Sequence, residues 1–289
     1  MIWINGSLVP ADKARLDPRD RGYTLGDGLF ETMRARGGSV PLIERHLARL
    51  RAGAVEIGLP LPWEDGELSE AVSRTLAAGG LADAAVRLTV SRGVPQQRGL
   101  LPDPEPRPSL VIQAHPFGGY PDHLYERGMH AITSAIPRNE RSPLANVKSL
   151  SYLENVLARR EAAERRADEA LLRNTSGDLA CASAANLFLV LGDELVTPDL
   201  GSGALPGTVR DLVLAELAPR LGLSVSERAV CPEEMEAAGE AFLTSALLGV
   251  MPLTRVDGLS IEAGTPGPAS LALRRKLERL WEAAGGGGV

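Results

Sequence analysis

Cysteine is nearly absent. Cys181 and Cys231 are the only two in 289 residues, and they stand far apart without ligand-type spacing. Two such residues build no disulfide framework in a chain this long, so a reducing cytoplasm is the expected setting. Histidine is almost as scarce, and His46, His115, His123 and His130 lack metal-site spacing, so no protein-bound metal is expected. Aromatic residues make up 4% of the chain, and no basic stripe alternates with them. With arginines scattered among acids and a formal net charge of -6, nucleic acid is excluded as a partner. No apolar run reaches the roughly eighteen residues a membrane span needs, so no membrane association is expected. The start, Met1 to Gly6, has neither a basic nor an apolar leader region, so no export signal is expected.

What remains is an ordinary, mildly acidic globular composition, 44% apolar and 24% charged. It suffices for a large core, and the length suggests two domains. Ile2 to Val9 reads as a hairpin turning at Asn5-Gly6. Leu47, Leu50, Ala54 and Ile57 recur at helical spacing between Arg45 and Gly58, with the glycine as a stop. Val86–Ser91 and Leu110–Ala114 are strand-like, and the loop between them, from Arg92 through the prolines to Pro108, is long enough to carry function. The Gly- and Pro-rich stretch 116–121 reads as a linker, which predicts a smaller α/β domain over 1–117, a connection at 118–121 and a larger domain over 122–289.

In the second half, Met129–Ala135, Glu169–Leu172, Leu187–Leu191, Glu194–Thr197 and Ala241–Ser245 read as strands. Leu150–Ala167 reads as an amphipathic helix with Leu150, Leu153, Val156 and Leu157 inward. Thr208–Leu221 reads as a second helix, and Gly285 to Gly288 as a frayed tail. Strands and helices mixed in two halves give an α/β or α+β protein.

Two features could carry chemistry. Lys148 follows an extended, mostly uncharged stretch and precedes a helix, and desolvation there would lower its amine pKa and suit Schiff-base formation. Leu205-Pro206-Gly207-Thr208-Val209-Arg210-Asp211 opens a helix, with Thr208 and Asp211 resembling a capping box, and helix N-termini bind phosphate well. Each alone also fits a bland reading, a surface lysine and a plain capped helix.

Taken in order, however, these pieces resemble the fold-type-IV pyridoxal 5'-phosphate (PLP) enzymes, the class IV aminotransferase family. The resemblance runs through Asp20-Arg21-Gly22-Tyr23-Thr24-Leu25-Gly26-Asp27-Gly28-Leu29-Phe30-Glu31-Thr32, His46-Leu47-Ala48-Arg49-Leu50, Ser91-Arg92-Gly93, Lys148 to Asn155, Ala185-Asn186-Leu187-Phe188, Leu205 to Arg210, and Ser245 to Pro252. It implies a two-domain fold like that of D-amino acid aminotransferase, PLP as cofactor, and a homodimer whose active sites lie near the interface and borrow a loop. By the same resemblance Lys148 forms the Schiff base and moves the proton at the substrate Cα. Arg49 grips the cofactor phosphate. Gly207, Thr208 and Val209, and a second turn at Ser245 and Ala246, bind it too. Arg138 or Arg141 lies near the ring, and the Thr32 hydroxyl relays a proton.

One position departs from the pattern. Counting back from Asn186, the glutamate that pairs with the pyridine nitrogen in this family is replaced by Cys181. A thiol holds that proton poorly, since its ordinary pKa is near ~8.5. The ring then becomes a weaker electron sink, which tilts the choice from transamination toward elimination. Ala167 to Leu172, Ala184 to Phe188 and Ala246 to Pro252 most resemble 4-amino-4-deoxychorismate lyase, which releases pyruvate and leaves 4-aminobenzoate, a folate precursor. The alternatives are an aminotransferase for branched-chain or D-amino acids, and a non-catalytic PLP-binding homologue. Phe30 stands where D-amino acid transaminases carry a carboxylate-binding Tyr. Arg98 matches their loop arginine, but no His follows it. Both Phe30 and Arg98 are expected to face an amino substrate.

Overall fold

The computed structural model describes residues 1–285; the end of the glycine tail lies outside the described residues. The chain packs as two units. The first comprises Met1–Gly118, Val147–Ser151 and the described residues from 281 to 285, and the second comprises Gly119–Asn146 and Tyr152–Leu280. The five-residue strip carrying Lys148 therefore folds with the N-terminal unit rather than with the 122–289 span in which it lies by sequence.

In the first unit, strands β1 (Ile2–Ile4), β2 (Ser7–Val9), β3 (Gly28–Ala35), β4 (Ala84–Ser91) and β5 (Ser109–Pro116) form one antiparallel sheet in the order β2-β1-β5-β4-β3. The β1–β2 hairpin turns at Asn5 and Gly6, both at positive φ, as Asn-Gly turns do. Strand β4 alternates cleanly. Val86, Leu88 and Val90 are buried, while Arg87 and Thr89 are half-buried on the other face. The buried face packs on helices α2 (Ile43–Glu56) and α3 (Asp65–Gly79), through Leu47, Leu50 and Ala54 of the former and Leu68, Val72 and Leu76 of the latter. Each such leucine contributes about 2 kcal/mol by burial. The short helix α1 (Arg21–Leu25) precedes β3, capped by the Asp20 carboxylate, which accepts from the Gly22 N–H.

The second unit is built on a nine-stranded mixed sheet. Its strands are β6 (Met129–Thr133), β7 (Glu169–Arg173), β8 (Leu179–Ala182), β9 (Asn186–Leu191), β10 (Glu194–Pro198), β11 (Ser224–Arg228), β12 (Glu240–Ser245), β13 (Gly249–Val256) and β14 (Leu259–Ser260). Their order is β11-β10-β9-β12-β13-β6-β7-β8, with β14 beside β13. Strands β9 and β12 are buried on both faces, which matches the unbroken apolar runs 187–191 and 241–243. Phe188 and Phe242, directly opposite across them, stack with centroids 4.9 Å apart. Helices α4 (Asp122–Arg127), α5 (Leu153–Glu164), α6 (Thr208–Leu212), α7 (Glu233–Glu236) and α8 (Pro268–Gly285) complete the described chain. No helix among the described residues is long and apolar enough to cross a membrane.

Two sequence expectations need correction. Helix α5 is shorter than Leu150–Ala167, and its inward face is Asn155, Ala158 and Ala162, whereas Leu153 and Val156 are 68% and 57% exposed. The sheet approaches this helix closely enough that small residues fill the gap, and the Asn155 amide donates to the Ser183 carbonyl. The helix beginning at Thr208 has Gly207 at its N-cap position, so Thr208 is its first residue and not its cap. It passes from α-helix to a π-helical segment at Val213–Leu217 before closing in a 3-10 turn.

Candidate active site

Lys148 is held by backbone pairing to β3. The Phe30 N–H donates to the Lys148 carbonyl at 3.0 Å, and the Leu150 N–H donates to the Gly28 carbonyl at 2.9 Å. The strip is thus a one-bridge strand beside the edge of the sheet, with Leu29 opposite Ser149. Val147 joins the core with Leu29 and Leu50, and by strand alternation Lys148 faces the other way. Its Nζ lies 4.2 Å from the centroid of the Phe30 ring, and the Arg87 guanidinium carbon lies 3.5 Å from that same centroid. Thr32 is half-buried on the Phe30 face of β3, directly across from Arg87.

Beside this group stands a fully buried carboxylate. Glu31 accepts from Arg49 Nε at 2.8 Å and from Arg49 Nη2 at 2.6 Å, and its Oε2 lies 2.7 Å from His46 Nδ1. Burial pushes the Glu31 pKa up, but the Arg49 guanidinium and the His46 bond outweigh it and hold the group at about 2. His46 is driven the other way, its pKa lowered chiefly by burial with Arg49 and Lys148 adding to the fall. With Glu31 ionised and His46 neutral, the imidazole carries its proton on Nδ1 and donates it to the carboxylate. The two-bond fork fixes the plane of Arg49.

These charges set the state of the lysine. Burial first, then the positive charges of Arg49 and Arg87, bring Lys148 down from its ordinary range to about 7, against the opposing pull of Glu31. A lysine with a pKa near 7 keeps a substantial unprotonated fraction at neutral pH, and that form is a nucleophile toward a carbonyl and a base of moderate strength.

The remaining first-unit expectation is Arg98. It lies exposed in the 93–107 loop.

In the second unit, the Leu205–Gly207 turn is braced by Asn186, whose amide donates to the Leu205 carbonyl at 2.8 Å. A Cβ on Gly207 would overlap the Asn186 side-chain oxygen, so any larger residue here must displace the amide that braces the turn. Thr208 and Val209 follow as the first helical residues, both buried. Ser245 ends β12, and its hydroxyl accepts from the Leu248 N–H at 3.2 Å, closing the turn that contains Ala246.

Cys181 is buried among Ile132, Ala158, Ala162, Ala170 and Leu172. Burial pushes its thiol up to about 11, although the Arg138 guanidinium pulls the other way. Arg138 is the inward arginine, donating to the carbonyls of Gly203 and Ala145, whereas Arg141 is exposed beside Glu140. The buried carboxylate near Cys181 is Glu169, which accepts from the Ser183 hydroxyl and the Ala170 N–H and pairs with Arg159 at 3.2 Å.

Sequence reasoning passed over Glu31, His46 and Arg87 as site residues. Glu31 and His46 lie inside quoted motif segments, and a charged residue between the apolar Phe30 and Met33 of a strand was the available signal. Arg87 gave one too, as the sole charge in an alternating strand.

The family model described as amino-transferase class IV matches residues 28–256. A protein of Methanocaldococcus jannaschii named as a putative branched-chain-amino-acid aminotransferase is 33% identical over 280 residues, 96% of each chain. Among solved structures, 4-amino-4-deoxychorismate lyase from Pseudomonas aeruginosa is 32% identical with a TM-score of 0.85, covering 98% of both chains. The T.th. branched-chain amino acid aminotransferase with pyridoxamine 5'-phosphate is 28% identical with a TM-score of 0.90, covering 99% of this chain and 94% of that one.

Proposed function

The chain belongs to the class IV amino-transferase family, and from that premise we propose that this PLP-dependent enzyme is a lyase of the 4-amino-4-deoxychorismate type. It would release pyruvate and leave 4-aminobenzoate. The observation that carries this reading is the neutral, buried thiol of Cys181 where the family pattern has a carboxylate.

The residues suit the cofactor at two ends. An enclosed amine with a pKa near 7 fits an aldehyde, and a close-packed glycine turn leading into a helix N-terminus fits a phosphate. In our reading Lys148 takes the aldehyde, while Arg49, Thr208, Val209 and the Ser245–Ala246 turn serve the phosphate. PLP supplies an electron-withdrawing ring that acidifies the bond at the substrate Cα.

The protein's own work is then proton handling. Lys148 would serve as the base that takes the substrate Cα proton, and its lowered pKa matches the task at neutral pH. Glu31 keeps Arg49 oriented, and Phe30 with Arg87 walls the lysine. Thr32, on the Phe30 face, is the hydroxyl we assign to proton relay, and Phe30 and Arg98 the residues we assign to substrate. Cys181 cannot hold a proton on the ring nitrogen as a carboxylate would. Transamination depends on that proton more than an elimination driven by aromatisation of the substrate does. We extend the family resemblance to a cytoplasmic homodimer.

A second reading, aminotransferase, is favoured by the name of the 33%-identical relative. One assay separates the two. Pyruvate released from 4-amino-4-deoxychorismate without an amino acceptor supports the lyase. Conversion to the pyridoxamine form by L-leucine, with no pyruvate released from 4-amino-4-deoxychorismate, refutes it.

A further inference from the structure

The loop from Gly93 to Arg107 is a built arm. Its ends are pinched where Ser91 pairs with Ser109 and where a Cβ on Gly93, at φ +86°, would overlap the Arg107 carbonyl. Inside it, the Gln96 N–H donates to the Asp103 carboxylate at 2.8 Å. Apolar packing does little for its tip, since Leu100 and Leu101 are 83% and 87% exposed. Beneath its proline side lies a cavity of about 730 Å³ lined by Ala54, Leu59, Arg92, Pro102, Pro104 and Pro106.

What reaches the tip is Arg21. Its two terminal nitrogens donate to the carbonyls of Gly99 at 2.9 Å and Leu100 at 2.8 Å, and its Nε donates to Asp27 at 2.7 Å. The same Asp27 carboxylate takes Arg92, which in turn donates to the carbonyls of Ile57 and Gly58 at the end of α2. The two arginines are buried and Asp27 is half-buried between them, and a carboxylate between two guanidinium groups is fixed on both sides. Asp27 also immediately precedes Gly28, whose carbonyl holds the Lys148 strip through Leu150. One carboxylate thus ties the arm, the end of α2 and the lysine-bearing strand together.

We propose that Arg21, anchored on Asp27, is a positioning residue that fixes the arm tip and with it Arg98, the adjoining guanidinium, for the carboxylate of an anionic amino substrate. This rests on the assignment of Arg98 to substrate made above. The geometry is specific to arginine. A lysine at position 21 keeps the charge facing Asp27 but cannot bridge two carbonyls and a carboxylate in one plane.

The test uses the PLP-loaded enzyme carrying Arg21→Lys, with trypsin as probe of the Arg98–Gly99 bond. Loss of two hydrogen bonds at the tip predicts cleavage there faster on the order of tenfold. KM for 4-amino-4-deoxychorismate, or for L-leucine should aminotransfer be the activity, rises on the order of tenfold while kcat stays within about twofold. Asp27→Asn, which removes the anchor and leaves the carbonyl contacts, carries the same readouts should Arg21→Lys fail to fold. A native cleavage rate in a folded variant overturns the proposal, as does faster cleavage with a native KM when Arg98→Ala raises KM. A native KM in Arg98→Ala itself overturns the assignment of Arg98, whatever Arg21 does.

Discussion

The amine of Lys148 and the ring of Phe30 are 4.2 Å apart, and the guanidinium of Arg87 lies over that ring as well. Two cations share one aromatic surface, with a third, Arg49, close enough to lower the lysine further. A ring quadrupole attracts each cation, but the cations repel one another, and the lysine is the member that can give up its charge.

Arg87→Met removes one of the charges that depress Lys148. The lysine pKa then rises from about 7 toward its ordinary range. Covalent capture of PLP by the apo-protein, followed by absorbance, slows roughly threefold to tenfold at pH 7, and its pH midpoint moves up. An unchanged midpoint contradicts the coupling.

Glu31→Gln leaves Arg49 without its carboxylate in a buried site and costs on the order of 3 kcal/mol, read as a lower denaturant midpoint. The pH dependence has a definite direction. Glu31 is held at about 2 in the fold, below its ordinary value of 4.5. Its stabilisation is therefore complete above about 4.5 and lost as pH falls toward 2. The variant should show a shallower loss of stability across that window, and a slope equal to that of the native protein would argue against the assignment.

Gly207→Ala puts a methyl group into the Asn186 side chain. The turn must shift, and with it the first helical N–H groups at Thr208 and Val209. PLP affinity, measured by equilibrium dialysis, is expected to fall at least tenfold while Lys148 still reacts with pyridoxal lacking the phosphate. Equal losses with both aldehydes would count against a phosphate role for this turn.

Much of this was legible before the fold was known, for reasons particular to each element. Helix α2 announces itself because Leu47, Leu50 and Ala54 recur at helical spacing and are the residues buried. Helix α5 misleads because its inner face is alanine and asparagine, so size and polarity no longer track burial. Lys148 could be singled out from its uncharged approach, yet its lowered pKa depends on Arg49 and Arg87, brought near by α2 and β4. Glu31 was hidden for the same reason. Its two partners lie fifteen and eighteen residues away on the helix that crosses its strand. Whether Arg138 or Arg141 turns inward is a matter of register, and it shows only in the bonds of Arg138 to the carbonyls of Gly203 and Ala145.

The neutral thiol at position 181 steers the chemistry in this account, and Cys181→Glu tests it most directly. The half-reaction of the PLP-loaded variant with L-leucine, followed as conversion to the pyridoxamine form, should run at least tenfold faster than in the native enzyme. An unchanged rate, with PLP bound as tightly as before, would contradict it.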